Sequence, residues 1–333
     1  MQFTPEILRQ HAQLLVEKEV KKNRDILAAY LRGSLLYGSP LLGGAGDIDL
    51  VFICNTVPPT PREIRKLTPE IFFDIEYHDQ MRYRKTRELR LDPWFGPTLR
   101  DAIPLFDPRH LLDYTQSGVR SNFVFPENTQ ARCQNLLDKA RKFWMDRQIN
   151  PPRHILTELP AFLSALENAI NAVALLSGPP LTIRRLGRDF AARADQVNAP
   201  GLVISFNHLM GAVNLSREVL TEWLNSWVQA IDLLKQSDAH NALILAEQEF
   251  YFRAAIAEMI KVDSSSAALW TLLNTWTEII AHLPEQTQLQ APWIKALTAL
   301  GFAGQDYQIR LEAFDVFLDL CETLIRKETE GTA

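Results

Sequence analysis

One segment constrains the fold more than any other: Asp47-Ile48-Asp49-Leu50-Val51-Phe52-Ile53. It begins in polar–apolar alternation and ends as an unbroken apolar run. Side chains alternate between the two faces of a strand. The segment therefore reads as a strand with one polar face at its start and with both faces buried at its end. Two further stretches read as strands, Ile26–Leu31 and Ile71-Phe72-Phe73-Asp74-Ile75-Glu76-Tyr77. Ile103-Pro104-Leu105-Phe106 is a fourth candidate, weakened by its proline. Thr4-Pro5 reads as a helix cap followed by proline at the first helical position, and Ile7, Leu14, Leu15 and Val20 continue that helix. Pro58, Pro59 and Pro61 mark a loop.

From about Ala131 the pattern changes to apolar residues at helical spacing, as in Phe314, Phe317, Leu318, Cys321, Leu324 and Ile325. Breakers at Pro151-Pro152, Gly178-Pro179-Pro180, Pro200-Gly201 and Pro284 divide this half into seven or eight expected helices. The chain of 333 residues thus reads as an α/β domain over 1–130 and an all-α domain over 131–333. Hydrophobic residues make up 47% and charged residues 23%, which excludes disordered and collagen-like classes. A net charge of −5 argues against a surface coated for gripping long nucleic acid. The three cysteines, Cys54, Cys133 and Cys321, are too far apart for a zinc motif or a disulfide framework. The N-terminal residues lack the basic start and apolar core of a secretory signal. Polar residues such as Glu167, Asn168, Asn171 and His208 interrupt the apolar stretches before they reach a membrane span. The expectation is a cytoplasmic protein with no membrane association; the sequence leaves its oligomeric state open.

Chemistry concentrates around a glycine-rich loop, Leu31-Arg32-Gly33-Ser34-Leu35-Leu36-Tyr37-Gly38-Ser39, and the strand after it. Gly33 has no Cβ and lets a phosphate approach the backbone. Ser34 is placed to cap a following helix, whose N–H groups and the serine hydroxyl can hold a phosphate. Asp47 and Asp49 are two apart on a strand, so both carboxylates face one way and repel unless a cation lies between them. Mg²⁺ takes hard oxygen ligands and completes its shell with substrate phosphates, so Mg²⁺ carrying a nucleoside triphosphate is the expected occupant. Asp74 and Glu76, again two apart, offer a third carboxylate for a second Mg²⁺ or for taking a proton from an attacking hydroxyl.

Gly33-Ser34, a gap of 12 residues, Asp47-Ile48-Asp49 flanked by apolar residues, and an apolar-flanked Asp74 resemble the motif of the DNA polymerase β-like nucleotidyltransferase superfamily. In that motif Asp74 best matches the third carboxylate, with Glu76 the alternative. The size and the helical second half look similar to antibiotic nucleotidyltransferases such as the kanamycin and streptomycin enzymes. The small toxin–antitoxin nucleotidyltransferases share the motif with a shorter gap. The resemblance spans residues 25–110 by motif and the rest only by composition. It implies a mixed sheet in the first domain, and two Mg²⁺ ions on Asp47, Asp49 and Asp74. The implied reaction transfers a nucleoside monophosphate, by default AMP from ATP, to a hydroxyl acceptor with release of pyrophosphate. A small hydroxylated acceptor is the leading expectation. The alternatives are a macromolecular acceptor, either a tRNA end or a partner protein, and a protein that binds nucleotide without catalysis.

Other features carry weaker expectations. Residues 82–90 hold five basic side chains that can steer a triphosphate or an RNA backbone, or form a solvated helix face. Glu167, Asn168 and Asn171 can line an acceptor pocket or make polar contacts between helices. Thr182 is read as the cap of a helix opening at Leu181, with Arg184 and Arg185 placed to hold nucleotide phosphates or to serve the surface. Trp144, Trp223, Trp227, Trp270 and Trp276 read as core aromatics rather than stacking platforms. The seven histidines show no ligand spacing.

Overall fold

The computed structural model describes residues 3–38, 40–56, 60–150, 154–213, 215–236, 247–262, 265–283, 288, 290–302 and 305–330. The chain divides into two compact units, Met1–Asn128 and Thr129–Ala333.

The first unit is built on a mixed five-stranded sheet: β1 (Ile26–Arg32), β2 (Gly46–Cys54), β3 (Arg62–Lys66), β4 (Ile71–Asp79) and β5 (Ile103–Phe106). Their spatial order is β3-β4-β2-β1-β5. β2 and β4 run parallel at the centre, and every other pair is antiparallel. Strand alternation sorts the residues of β2 onto two faces. Ile48, Leu50 and Phe52 join Phe73 and Ile75 of β4 and Ala29 and Leu31 of β1 in a core beneath α1 (Pro5–Lys22), which contributes Leu8, Ala12, Leu15 and Val16. Thr4 caps this helix as expected, its Oγ1 accepting from the Ile7 N–H at 3.4 Å.

The opposite face is divided. At one end Ala28, Tyr30, Val51 and Ile53 lie under Phe95, Leu99, Leu112 and Val119. These come from α3 (Phe95–Asp101) and α4 (Leu111–Arg120), with α2 (Thr86–Leu91) alongside. At the other end the same face carries Asp47, Asp49, Asp74 and Glu76. This division explains the hybrid pattern of the Asp47–Ile53 segment. Each large apolar side chain sealed in such a core contributes about 1.5–3 kcal/mol, so the doubly covered end anchors the strand that carries the acids.

Two local expectations need correction. The sequence reading places no strand between Pro61 and Ile71, yet β3 forms there, although Arg62-Glu63-Ile64-Arg65-Lys66 has four charges in five residues. It pairs on one side only, and charge on an edge strand blocks edge-to-edge association. Pro58 and Pro59 lie outside the described residues. Ser34 caps no helix either. It sits inside a single 3₁₀ turn, Gly33–Leu36, whose preceding residue Arg32 makes no side-chain cap.

The second unit is helical. From Pro126 onward the described residues form nine helices, more than the seven or eight expected. They are α5 (Pro126–Ile149), α6 (Ile155–Ala174), α7 (Leu186–Gln196), α8 (Gly201–Met210), α9 (Arg217–Gln236), α10 (Glu249–Val262), α11 (Ser265–His282), α12 (Gln290–Ala299) and α13 (Gln305–Glu330). Trp223, Trp227, Trp270 and Trp276 are buried in its core, so they pack rather than stack on a ligand. α8 ends on Gly211 at φ 71°, where a Cβ would come 2.4 Å from the Leu300 carbonyl oxygen. The buried Arg310 guanidinium donates to the carbonyls of both Leu209 and Leu300 and lies 3.8 Å over the Phe302 ring. One cation thus satisfies the open ends of two helices. Among the described residues no helix is long and apolar enough to cross a membrane.

Candidate metal and phosphate site

The parallel pairing of β2 with β4 sets Asp49 level with Asp74 and Val51 level with Glu76. That register brings Asp47, Asp49 and Asp74 together, each offering a carboxylate oxygen within 4.8 Å of the others. Asp47 and Asp74 are buried, and Asp49 is half-buried. Burial pushes the Asp49 carboxyl well above the ordinary carboxylate range, and the Asp47, Asp74 and Glu76 charges push the same way against Arg32. Three carboxylates gathered at this cost form a hard, anionic donor set that fits Mg²⁺.

Gly33 is fixed by the same cluster. Its φ is +78°, and a Cβ there would lie 1.8 Å from Asp49 Oδ2. The sequence reading gives Gly33 to a phosphate; the structure shows that its missing side chain first makes room for Asp49. Next to it, the Ser34 Oγ and the Arg32 Nε are buried and have no hydrogen-bond partner among the described residues. Buried polar atoms left open in this way are uncommon and call for a ligand or a water.

Two arginines temper the acids. Arg62 of β3 holds Asp74 in a bidentate pair, Nε to Oδ1 at 2.8 Å and a terminal nitrogen to Oδ2 at 2.5 Å. Arg32 of β1 holds Glu76 at 2.5 Å. Glu76 therefore stands apart from the triad. Burial disfavours its charge, but the His78 hydrogen bond and the Arg32 and Arg62 charges bring it down to about 2. Behind Glu76 a polar chain runs under the apolar lid. His78 Nε2 meets Glu76 at 2.9 Å, its Nδ1 meets the Tyr83 hydroxyl at 2.6 Å, and that hydroxyl meets Tyr30 at 3.0 Å. Burial lowers the His78 pKa and raises Tyr30 to about 12, so both stay neutral near pH 7.

Sequence spacing alone misses Arg32, Arg62, His78 and Tyr83. The one signal for His78 was its place two residues after Glu76 on the same strand face.

The remaining candidates are placed elsewhere. Of the five cations in 82–90, Arg82 lies 4.3 Å over Phe95 and 3.1 Å from His78 Nε2, Lys85 pairs with Glu88, and Arg90 donates to the Gly118 carbonyl. Only Arg84 and Arg87 stay free among the described residues, so the segment is no continuous basic face. Asn171 is buried and consumed by the loop before α7, bonding the Leu181 carbonyl at 3.1 Å and the Leu181 N–H at 2.6 Å. It braces that loop. Asn168 bonds the Ser164 carbonyl at 2.8 Å within its own helix. α7 opens at Leu186 and not at Leu181, with Thr182 supplying a backbone carbonyl rather than a side-chain cap. Arg184 is buried with its guanidinium 3.7 Å over the Tyr251 ring, and Arg185 lies 3.6 Å from Asp189. Both arginines are thus engaged inside the helical unit. No protein-family model matches the sequence, and no curated protein matches it.

Proposed function

We propose that the chain is a magnesium-dependent nucleotidyltransferase that moves a nucleoside monophosphate from a nucleoside triphosphate to a hydroxyl acceptor. The observation that carries this reading is the triad Asp47, Asp49 and Asp74 set against Gly33 and the open Ser34 hydroxyl. Asp47, Asp49 and Asp74 would hold the metal, and bound Mg²⁺ supplies positive charge to the phosphoryl oxygens. The Ser34 hydroxyl and the Arg32 Nε–H supply hydrogen bonds to phosphate oxygens, and the Gly33 backbone lets them come close. In the reaction the acceptor oxygen bonds to the α-phosphorus, the bond to the bridging α–β oxygen breaks, and pyrophosphate leaves. Asp74 takes the acceptor's proton; Glu76, locked to Arg32 and His78, stays a carboxylate and positions Arg32.

ATP serves as donor by default. A small hydroxylated acceptor is favoured over a tRNA end or a partner protein because the 82–90 cations are mostly spent on internal contacts. Pyrophosphate release should be measured with Mg²⁺, each triphosphate in turn, and a panel of polyols, amino sugars, tRNA and protein. Release that needs both metal and acceptor, and that Asp47→Asn abolishes, supports the reading. A protein that neither binds Mg²⁺-triphosphate in calorimetry nor releases pyrophosphate with any acceptor overturns it.

A further inference from the structure

The last helix, α13, has two apolar faces, and only one is used within the chain. Leu311, Phe314, Leu318, Cys321 and Ile325 are buried in the helical core. On another face Ile309, Ala313, Val316, Leu320 and Thr323 follow one another in steps of four, three, four and three. At 100° per residue these five positions fall in a stripe about 80° wide. The stripe is open to solvent: Ile309 is 63% exposed, Val316 61% and Leu320 47%. A 3.5-residue apolar repeat is the pattern of a helix seam that packs against another helix.

The charges beside the stripe specify what that other helix is. Asp315, Asp319 and Glu322 all pair with Arg141 of α5, at 2.5, 2.6 and 2.9 Å. Glu312 and Arg326 lie on the flank of the stripe, exposed, with no ion-pair partner among the described residues. They carry opposite charges at opposite ends of the seam. A second α13 laid antiparallel brings each of them to the other's level. A parallel copy would instead put the two flanks on opposite sides of the seam, and neither charge would meet its complement.

We propose that this face of α13 pairs antiparallel with the same helix of a second copy of the chain about a two-fold axis. Val316 and Leu320 form the centre, each against the other residue of the partner subunit. Ala313 lies against the partner subunit's Thr323, and Glu312 against the partner subunit's Arg326, each contact occurring twice by symmetry. Charges and seam together set the register: sliding by one heptad one way would set Glu312 against the partner subunit's Asp319, and sliding the other way would set Val316 against the partner subunit's Lys327. In the favoured register the two Asp319 side chains approach each other, each sharing Arg141 with Asp315 and Glu322, and this single like-charge approach is set against two Glu312–Arg326 pairs. Antiparallel helix dipoles add to the preference. The seam is short and carries only three large exposed apolar side chains, so a weak dimer that dissociates on dilution is expected.

Sedimentation equilibrium of the full chain between 1 and 100 µM tests this. Wild type is expected to show a concentration-dependent dimer. Glu312→Arg and Arg326→Glu should each weaken it at least about tenfold by setting like charges face to face. The double variant Glu312→Arg, Arg326→Glu should restore it. Val316→Lys should leave a monomer whose circular dichroism and thermal midpoint match wild type, because the site is exposed. A wild type that stays monomeric at 100 µM overturns the proposal. So does a dimer indifferent to Val316→Lys, or charge reversals that the double variant does not rescue.

Discussion

The two units put their buried polar groups to different use. In the helical unit several such groups hold backbone or a neighbour. Asn171 braces the Leu181 loop, Arg310 closes two helix ends, and Glu158 takes Tyr307 at 2.6 Å and Arg147 at 2.9 Å. Asn207 Oδ1 and the ring nitrogens of Trp144, Trp270 and Trp276 have no hydrogen-bond partner among the described residues and no cluster of acids beside them to bind an ion. In the sheet unit the polar end of β2 and β4 gathers three carboxylates, leaves Ser34 Oγ and Arg32 Nε open, and forces Asp49 out of its ordinary range. A satisfied polar group stabilises a scaffold, whereas open polar atoms beside gathered like charges are a cost that a bound cation and anion would offset. That contrast separates positions where substitution should unfold the protein from positions where it should cost only function.

The largest effect is expected at Asp49. Asp49→Asn should reduce pyrophosphate release by at least about 10³-fold, the scale of losing a group that stabilises transition-state charge. Its thermal midpoint should hold or rise, since one repelling charge is gone. A destabilised Asp49→Asn would break the comparison, because the cluster would then be structural. Arg310→Met should do the reverse. Two carbonyls lose their donor, so urea denaturation should show a loss of about 3 kcal/mol, while Mg²⁺-triphosphate binding to the folded protein persists.

Asp74 and Glu76 sharpen the contrast within one strand. Asp74→Ala should cost at least about 10²-fold in rate, the low end for loss of a general base. Glu76→Ala should cost less in rate but more in stability than Asp74→Ala, because it strands the half-buried Arg32 and the buried His78. The reverse order in rate would make Glu76 the catalytic carboxylate.

The smallest effect is set by Glu167 on α6, whose burial raises its carboxyl to about 7 from a usual 4.5. A raised carboxyl pKa favours the neutral form in the folded state. The stability it gives is complete below pH 4.5 and is lost as pH climbs to 7. Glu167→Gln should therefore match wild type at pH 4 and be the more stable of the two at pH 8. Equal stability at pH 8 would show that Glu167 is partnered in solution.

The elements that carry the site were legible where periodicity was strong. β1, β2 and β4 appear within two residues of their expected limits, and the proline-bearing β5 matches its candidate stretch. β3 was hidden because an edge strand needs no apolar alternation, and Arg65 gains its place from Glu63 and Glu19 instead. The Ser34 cap failed because one 3₁₀ turn, not a helix, follows it. The Thr182 cap failed because the loop is held by Asn171, a tertiary contact that local spacing does not report.

By itself the sequence determined that Asp47 and Asp49 share a face, that Asp74 and Glu76 share a face, and that Gly33-Ser34 leads into the first pair. The period of a strand is local and fixes those relations before any packing. Which member of the second pair meets the first was decided only by the β2–β4 register, which sets Asp74 beside Asp49 and carries Glu76 one step on to Arg32 and His78. Arg62 reaches Asp74 because a charged edge strand pairs with β4, a choice made by the sheet as a whole. Register and neighbour choice depend on burying the apolar faces of several strands at once, and no single segment contains that information.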